Sequence, residues 1–308
     1  MGDPGLGGSG PSRNGRRQRP PEVGELGRLV YGETPPGRSI PCARTTDLTE
    51  SEVAEVVDLI AAGRILRRSA EIPQRLRTRS WISVERVLLG LDRRLDLEAA
   101  GWKVGAASEA IRLAEGVPGP SPGRIYRRSV FPSGSRIGSE YFINYRLCEC
   151  EFAFELGVDF RARDKPWAEA DVRVGIESLL PAIEVGDSVF EDWYGASGFF
   201  GTCLDNGGGA AFIEGPRTRQ WQQLDLPAAS VDLYLNDYYI KTGKGSAAMG
   251  HPLTSATWLL NWLRERGLGT VAGEVVSTGT CTGHCFVAPG DSVRGDFGTL
   301  GVVDVRFD

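Results

Sequence analysis

Hydrophobic and charged residues alternate in the segment 148–154, where a single residue separates Glu149 from Glu151. The pattern predicts a β-strand in which the two glutamates share one face, because side chains two residues apart point the same way. The opposite, buried face then holds Cys148, Cys150 and Phe152. A second short apolar segment, 181–185, contains Glu184 as its one charged residue.

Three carboxylates set in apolar strands need compensation, because burying an unpaired charge is costly. Carboxylate oxygens are the ligands that hard divalent cations prefer, and we therefore consider Glu149, Glu151 and Glu184 as ligands of Mg²⁺ or Mn²⁺. On spacing alone, an alternative explanation is equally good: the alternating glutamates line the solvent face of an amphipathic strand.

Helical patterns dominate the region before these strands. Thr49 and Glu52 have the spacing of a capping box, and apolar residues recur behind them at helical intervals. A second helix is predicted over 80–91. Residues 1–45 are rich in Gly, Pro and Arg without an apolar period, so we expect a disordered arm there.

Lys103 lies in the sequence Gly-Trp-Lys-Val-Gly (101–105), which predicts a short strand. It is either an ordinary residue on the outer face or an amine in an apolar pocket. In the pocket its pKa would fall and it could exchange protons near neutral pH. The short helix predicted over 108–116 and the Gly- and Pro-rich segment 117–123 form a candidate mobile lid beside it.

Short β segments separated by turns make up most of the remaining chain. Helices are predicted over 168–179 and 252–266, and a flexible polar loop over 242–246. The β segments are 125–131, 142–154, 182–185, 231–235, 238–241, 274–278, 293–297 and 302–307. The fold class predicted is α+β: a helical N-terminal region (46–100) followed by a mixed β-sheet roll as the catalytic domain (101–308).

Charge and composition narrow the function classes. A net charge of -5 over 308 residues argues against a nucleic-acid binder. Six cysteines in a chain of this length do not make a dense disulfide framework. No apolar run is long enough for a membrane span, and the first 22 residues lack the pattern of a secretory signal. We expect a cytoplasmic protein with no membrane or nucleic-acid partner.

Nine short motifs in a fixed order resemble the fumarylacetoacetate hydrolase superfamily from about residue 50 to the end. The resemblance is greatest to the branch of 2-keto-4-pentenoate hydratases and 4-oxalocrotonate decarboxylases. The motifs are 101–105, 149–154, 181–185, 192–193, 205–206, 243–252, 258–263, 273–279 and 289–301.

The resemblance implies a β-roll, a divalent cation (Mg²⁺ or Mn²⁺) and a small-molecule 2-oxo acid substrate in a homo-oligomer. Its acidic ligands fall on Glu149, Glu151 and Glu184, and its lysine on Lys103. Water addition through a metal-stabilised enolate is the activity expected, with decarboxylation as the alternative. The remaining candidates are Glu115 as a catalytic acid in the lid and, for substrate binding, Asp205, Asn206, Gly207 and Thr278.

The chain departs from the family pattern after Asp205-Asn206. Three glycines (207–209) stand where the hydratase branch usually has Ala-Ser-Ser, which puts the usual five-carbon dienoate substrate in doubt. The only histidines, His251 and His284, come late, so the histidine–glutamate pair of hydrolytic members is not expected in the lid.

Two further hypotheses compete with a metal-dependent lyase. One is a zinc site built from Cys148, Cys150, Cys281, His284 and Cys285, although these spacings are not those of zinc fingers. The other is a degenerate family member that kept the fold and serves as a binding or scaffold protein.

Overall fold

The computed structural model describes residues 45–191 and 198–308 of the chain. The arm predicted over 1–45, apart from residue 45, and the Asp192-Trp193 motif therefore lie outside the described residues. The α-helices within them are α1 (Glu50–Leu66), α2 (Trp81–Arg94), α3 (Glu109–Glu115), α4 (Glu169–Gly175), α5 (Gly198–Leu204) and α6 (Pro252–Arg264). No helix among these residues is long and apolar enough to cross a membrane.

A large mixed sheet carries the segments singled out in the sequence. Its order is β2-β1-β10-β5-β6-β7-β3, with the short β11 paired to β5. The strands are β1 (Ala99–Gly105), β2 (Ser121–Tyr126), β3 (Val130–Pro132), β5 (Leu147–Leu156), β6 (Ile176–Gly186), β7 (Gly209–Glu214), β10 (Val275–Thr280) and β11 (Cys285–Phe286).

A smaller sheet has the order β4-β13-β12-β8-β9. Its strands are β4 (Ser135–Ile137), β8 (Ser230–Leu235), β9 (Tyr238–Lys244), β12 (Ser292–Asp296) and β13 (Val302–Phe307). Asn236 and Asp237 join β8 to β9 with positive φ angles of 51° and 65°. Positive φ at both central residues is typical of a type I′ turn, so the predicted hairpin is confirmed.

The main hydrophobic core joins the two sheets. Phe152 of β5 and Ile183 of β6 pack in one cluster with Val231 and Val305 of the smaller sheet. Cys148 and Cys150 are fully buried in the same cluster, as the alternation predicted. Strand geometry therefore directs the intervening residues of β5 and β6, which include the three glutamates, to the other face of the large sheet.

A second core packs the helical region onto that other face. Thr49 and Glu52 form the predicted capping box at the start of α1. Val56 of α1 and Val84 of α2 are buried together with Phe199 and Leu204 of α5. The helical N-terminal region thus shares its core with residues far along the chain, and α5 packs against α2 and β2.

Several predicted elements have different bounds in the structure. The helix predicted over 168–179 ends at Gly175, since residues 176–179 begin β6 and pair with β5. Residues 121–123, expected to be irregular, belong to β2. Pro122 is tolerated there because β2 is an edge strand. Residues 242–244 of the predicted polar loop complete β9.

Two predicted β segments are also interrupted. The segment 125–131 is broken by a 3₁₀ turn at Arg127–Ser129, and β5 begins at Leu147 rather than at residue 142. The mixed β-sheet roll with applied helices is nevertheless confirmed.

Candidate active site

Lys103 of β1 is buried, with 4% of its surface exposed. Its Nζ lies 2.7 Å from Glu184 Oε1. It also donates a hydrogen bond of 2.7 Å to the carbonyl oxygen of Gly207. The surface alternative for Lys103 is therefore wrong: β1 carries the amine on the same face of the sheet as the glutamates of β5 and β6.

The pKa of Lys103 is raised, whereas a lowered pKa was predicted for an amine in an apolar pocket. Burial by itself lowers the pKa of the amine, but the negative charges of Glu184, Glu149 and Glu151 outweigh it and raise the pKa overall. Lys103 is therefore protonated in this arrangement and could donate a proton, but it is not a free base.

The three glutamates lie on adjacent antiparallel strands. Glu149 is directly opposite Glu184 in the β5–β6 register, and Glu151 follows two residues on. Directly opposed residues have Cβ atoms about 4.5–5.5 Å apart. Glu151 accepts a short hydrogen bond from Ser277 Oγ and one of 3.1 Å from the amide of Gly279.

Burial raises the pKa of all three glutamates, and mutual repulsion raises that of Glu151 and Glu184 further. Lys103 is the shared cation that opposes these shifts. Lys241 also opposes the shift at Glu149, but two amines still cannot balance three carboxylates. The site therefore favours either additional protons or additional positive charge.

The side chains are not placed around an ion as they stand. Across residues 45–191 and 198–308, no group of three or more His, Cys, Asp or Glu is arranged to hold a metal. The chemistry of the glutamate set still fits a hard cation, because its donors are carboxylates on one face of adjacent strands. Glu184 is paired with Lys103, so the amine supplies the positive charge that a bound cation would otherwise supply.

The zinc hypothesis fits less well. Burial raises the pKa of Cys150 to about 12 and that of Cys285 to about 11, while those of Cys148 and Cys281 are raised well above their ordinary value. Zinc binds thiolates, which burial disfavours here. Cys148 and Cys150 also point into the main core, on the face opposite the glutamates.

Asp205 and Asn206 lie beside Lys103 with their side chains bound to protein groups. The Asp205 carboxylate accepts hydrogen bonds from Arg64 Nε at 2.8 Å, Ser188 Oγ at 2.6 Å and the Val189 amide at 2.8 Å. Asn206 is bound to the backbone of Arg124 in β2 through both atoms of its amide. In this structure they fix the loop that presents the Gly207 carbonyl.

Of the other two predicted residues, the structure describes the side chain of Thr278 but not that of Glu115. Thr278 is fully buried and donates its hydroxyl to the carbonyl of Phe152 at 2.7 Å. Glu115 is the last residue of α3, and its side chain lies outside the described part. The roles of Asp205, Asn206, Thr278 and Glu115 in catalysis or binding stay predictions.

Replacing Asp205 by alanine should destabilise the protein by about 3–5 kcal/mol, because it leaves Arg64 without its partner in a mostly buried ion pair. Chemical unfolding measures the change. Glu98→Ala, which removes an exposed partner of Arg127, is the matched control and should cost less than about 1 kcal/mol. Equal effects of the two substitutions would show that Asp205 does not support the loop.

His284 is a pocket residue whose place the sequence did not reveal. A pocket of about 20 Å³ has a lining that includes His284, Lys103, Glu149 and Gly207. His284 Nε2 lies 3.5 Å from Glu149 Oε1. Burial lowers the pKa of His284 to about 4, so the ring is neutral near pH 7. Phe199, Thr202 and Cys203 of α5 also line the pocket, together with Gly105, Ala106 and Ser121.

The arrangement of Lys103 and the glutamates can now be set beside known proteins. No family model matches the chain. It is 30% identical over 208 residues to 4-oxalocrotonate decarboxylase from Pseudomonas putida, covering 67% of this chain and 76% of that protein. The chain belongs to the 2-keto-4-pentenoate hydratase and 4-oxalocrotonate decarboxylase branch of the fumarylacetoacetate hydrolase superfamily. Another member, 2-keto-4-pentenoate hydratase 2 from Dechloromonas aromatica, is 28% identical over 78% of this chain and 85% of its own length.

A solved structure extends the family likeness to the whole described fold. The 4-oxalocrotonate decarboxylase from Pseudomonas putida G7, complexed with magnesium and adipate, has a TM-score of 0.75 and 26% identity. The match covers 86% of this chain and 100% of the decarboxylase. The same decarboxylase has also been solved with calcium and acetate. This one decarboxylase has thus been solved with two different divalent cations, each together with a carboxylate ligand.

Proposed function

We propose that the protein is a divalent-metal-dependent lyase that adds water to a 2-hydroxydienoic or 2-oxo acid. The observation that carries this proposal is Lys103, buried and protonated against Glu184 in a pocket that also holds Glu149. Buried acid–base groups with strongly shifted pKa values concentrate at catalytic sites. The names of the relatives, hydratases and decarboxylases of 2-oxo acids, support the same chemistry.

Glu149, Glu151 and Glu184 would hold the cation, with Mg²⁺ or Mn²⁺ the best match to an all-carboxylate site. When bound, the cation would supply the electrophile that stabilises negative charge on the 2-oxo group of the substrate. Magnesium in a related decarboxylase supports this assignment.

Lys103 would move the proton in the reaction. Its Nζ is 2.7 Å from a carboxylate oxygen of Glu184 and carries a proton into the pocket. The Gly207 carbonyl fixes the direction of the amine. A positioned acid of this kind can protonate the substrate at C3 or C5, and α5 with Phe199 would exclude bulk water. Glu115 of α3 is the candidate for a second acid.

Decarboxylation is the second candidate function. The decarboxylase from Pseudomonas putida G7 matches over its whole length, and the same electron sink serves loss of carbon dioxide from a vinylogous 2-oxo acid. The glycines at 207–209 have no side chains, so they do not indicate which group the substrate carries beyond its 2-oxo acid part. A purely binding or scaffold role is the third possibility, and the buried Lys103–Glu184 pair argues against it.

Turnover of 2-hydroxydienoic acids of several chain lengths with Mg²⁺, followed by loss of their ultraviolet absorbance, tests the lyase proposal. We expect turnover to require the metal and to stop with a chelator. Release of carbon dioxide from 4-oxalocrotonate would identify the decarboxylase instead. Inactivity on a panel of 2-oxo and 2-hydroxydienoic acids, with Mg²⁺ or Mn²⁺ present, would leave the scaffold alternative.

Metal addition should stabilise the protein more at high pH than at low pH. Without metal, the raised pKa of the three glutamates means that the folded state binds more protons than the unfolded state above about pH 4.5, so stability falls as pH rises. A bound cation removes this penalty. Thermal unfolding should therefore show a larger Mg²⁺-induced rise in Tm at about pH 8 than at about pH 5.5. An equal or reversed difference would contradict a cation at the glutamates.

We also propose a cytoplasmic homo-oligomer. Apolar side chains on α1 (Ile65 and Leu66), on α3 (Leu113) and on α4 (Val174) are more than half exposed in the single chain, which supports a further contact surface. Light scattering coupled to size-exclusion chromatography measures the assembly, and a monomer at micromolar concentration would contradict it.

A further inference from the structure

A second cavity, much larger than the Lys103 pocket, lies between the helical region and the large sheet. Its volume is about 510 Å³, within the range of small-molecule sites. We call it the arginine cavity, after Arg64, Arg67, Arg94 and Arg128 in its lining. No role in the proposed lyase reaction is assigned to it.

The positive charge that the arginine cavity offers to a ligand is that of Arg67 and Arg128, because Arg64 and Arg94 are paired with Asp205 and Asp58. Asp96 and Asp187 are its acidic lining residues. Asp187 is also occupied, since its carboxylate accepts the backbone amides of residues 143–145. Anion binding in the cavity therefore depends on Arg67 and Arg128 and not on an overall excess of positive charge.

Within residues 45–191 and 198–308, two of the arginines have guanidinium groups without a carboxylate partner. Arg67 donates to a neutral acceptor, the carbonyl of Tyr141, at 2.6 Å. Arg128 makes no ion pair within residues 45–191 and 198–308. Guanidinium groups bind carboxylate and phosphate through paired hydrogen bonds, and these two are accessible for that purpose.

The remaining lining favours an organic anion over a bare ion. Apolar side chains from three parts of the chain share the wall, and they are Ile65, Leu91, Leu95, Leu97 and Ile143.

The loop 205–209 separates the arginine cavity from the Lys103 pocket. Asn206 and Gly209 line the arginine cavity, while Gly207 between them accepts the hydrogen bond from Lys103. Arg64 faces the cavity and binds Asp205 at the start of the same loop. A ligand on one side therefore contacts the loop that orients the amine on the other.

We propose that the arginine cavity binds a small organic anion through a carboxylate or phosphate group, and that its occupancy is coupled to the Lys103 pocket through residues 205–209. The coupling is reciprocal, so a ligand in either site changes affinity at the other by the same factor. The proposal stands on the cavity itself and does not depend on the lyase reaction.

Calorimetric titration with glutarate and with inorganic phosphate tests binding. Glutarate carries an apolar chain that phosphate lacks. Comparing the two probes therefore distinguishes a site for an organic anion from one that binds any anion by charge. We expect glutarate to bind the full-length protein, and the double variant Arg67→Ala/Arg128→Ala to weaken it about tenfold or more, the loss of at least one charged hydrogen bond. Arg68→Ala, an exposed neighbour outside the cavity, is the matched control and should bind as wild type.

Three outcomes would overturn the proposal. One is the absence of binding by either probe, and another is wild-type affinity in the double variant despite an unchanged Tm. The third is binding that is lost in Glu184→Gln but kept in the double variant, which would place glutarate in the Lys103 pocket. If the double variant unfolds, Arg128→Glu alone repeats the test, since a reversed charge at this exposed position should repel both probes.

Hydrogen exchange tests the coupling without any activity measurement. Glutarate should slow the exchange of the amides in the loop 205–209 in wild type and leave it unchanged in Arg67→Ala/Arg128→Ala. Binding without any change in this loop would disprove the coupling.

Discussion

The Lys103→Met enzyme will turn over its substrate about 10²–10⁴-fold more slowly than wild type, because a positioned acid–base group contributes a factor of this size. Methionine keeps most of the buried volume and removes the charge. Metal affinity should be equal or higher, since Lys103 competes for Glu184 in the metal-free protein. Steady-state kinetics and metal titration measure the two effects separately.

Lys244→Met is the matched control for Lys103→Met. Lys244 is exposed at the end of β9, away from the pocket, and its replacement should leave kcat and KM unchanged. If Lys103→Met keeps kcat within about twofold of wild type, the amine has no part in proton transfer, whatever the metal does.

Glu184→Gln is expected to abolish metal-dependent turnover in a folded protein. Glutamine keeps an acceptor oxygen for Lys103 but removes the negative charge that a hard cation requires. Loss of a group that merely orients a metal ligand costs about 10–100-fold in affinity, so loss of a ligand should cost more. Calorimetric titration with Mg²⁺ gives the affinity, and circular dichroism reports folding.

Glu177→Gln provides a control on the same strand as Glu184. Glu177 is exposed near the start of β6 and pairs with Arg219 at the surface. Its replacement should change neither metal affinity nor turnover. Wild-type activity in Glu184→Gln would remove Glu184 from the site, even if metal dependence itself were established.

The alternation in 148–154 was enough to predict which residues of β5 enter the core and which face the site. The face opposite the glutamates is fully buried, as expected. Period-two patterns are informative because a strand buried on one side must place every second residue there. The same pattern could not distinguish a solvated face from a catalytic one, since that depends on the helical region folding over it.

The partners of buried polar groups could not be predicted from the sequence. Asp205 pairs with Arg64, which is 141 positions away in the chain. His284 reaches the pocket because the chain after β10 returns to pair with β5 at Cys285. Such contacts depend on strand order, and no local pattern encodes strand order. The lowered pKa predicted for Lys103 in an apolar pocket was wrong for the same reason. That prediction included the effect of burial on the amine but not its pairing with Glu184.

Anomalous diffraction from crystals grown with Mn²⁺ is the most direct test of a cation held by the three glutamates. We predict one strong peak about 2.1 Å from carboxylate oxygens of Glu149, Glu151 and Glu184, with the Lys103–Glu184 ion pair opened. An intact ion pair without a peak, or a peak at the cysteines instead, would contradict the metal-dependent lyase.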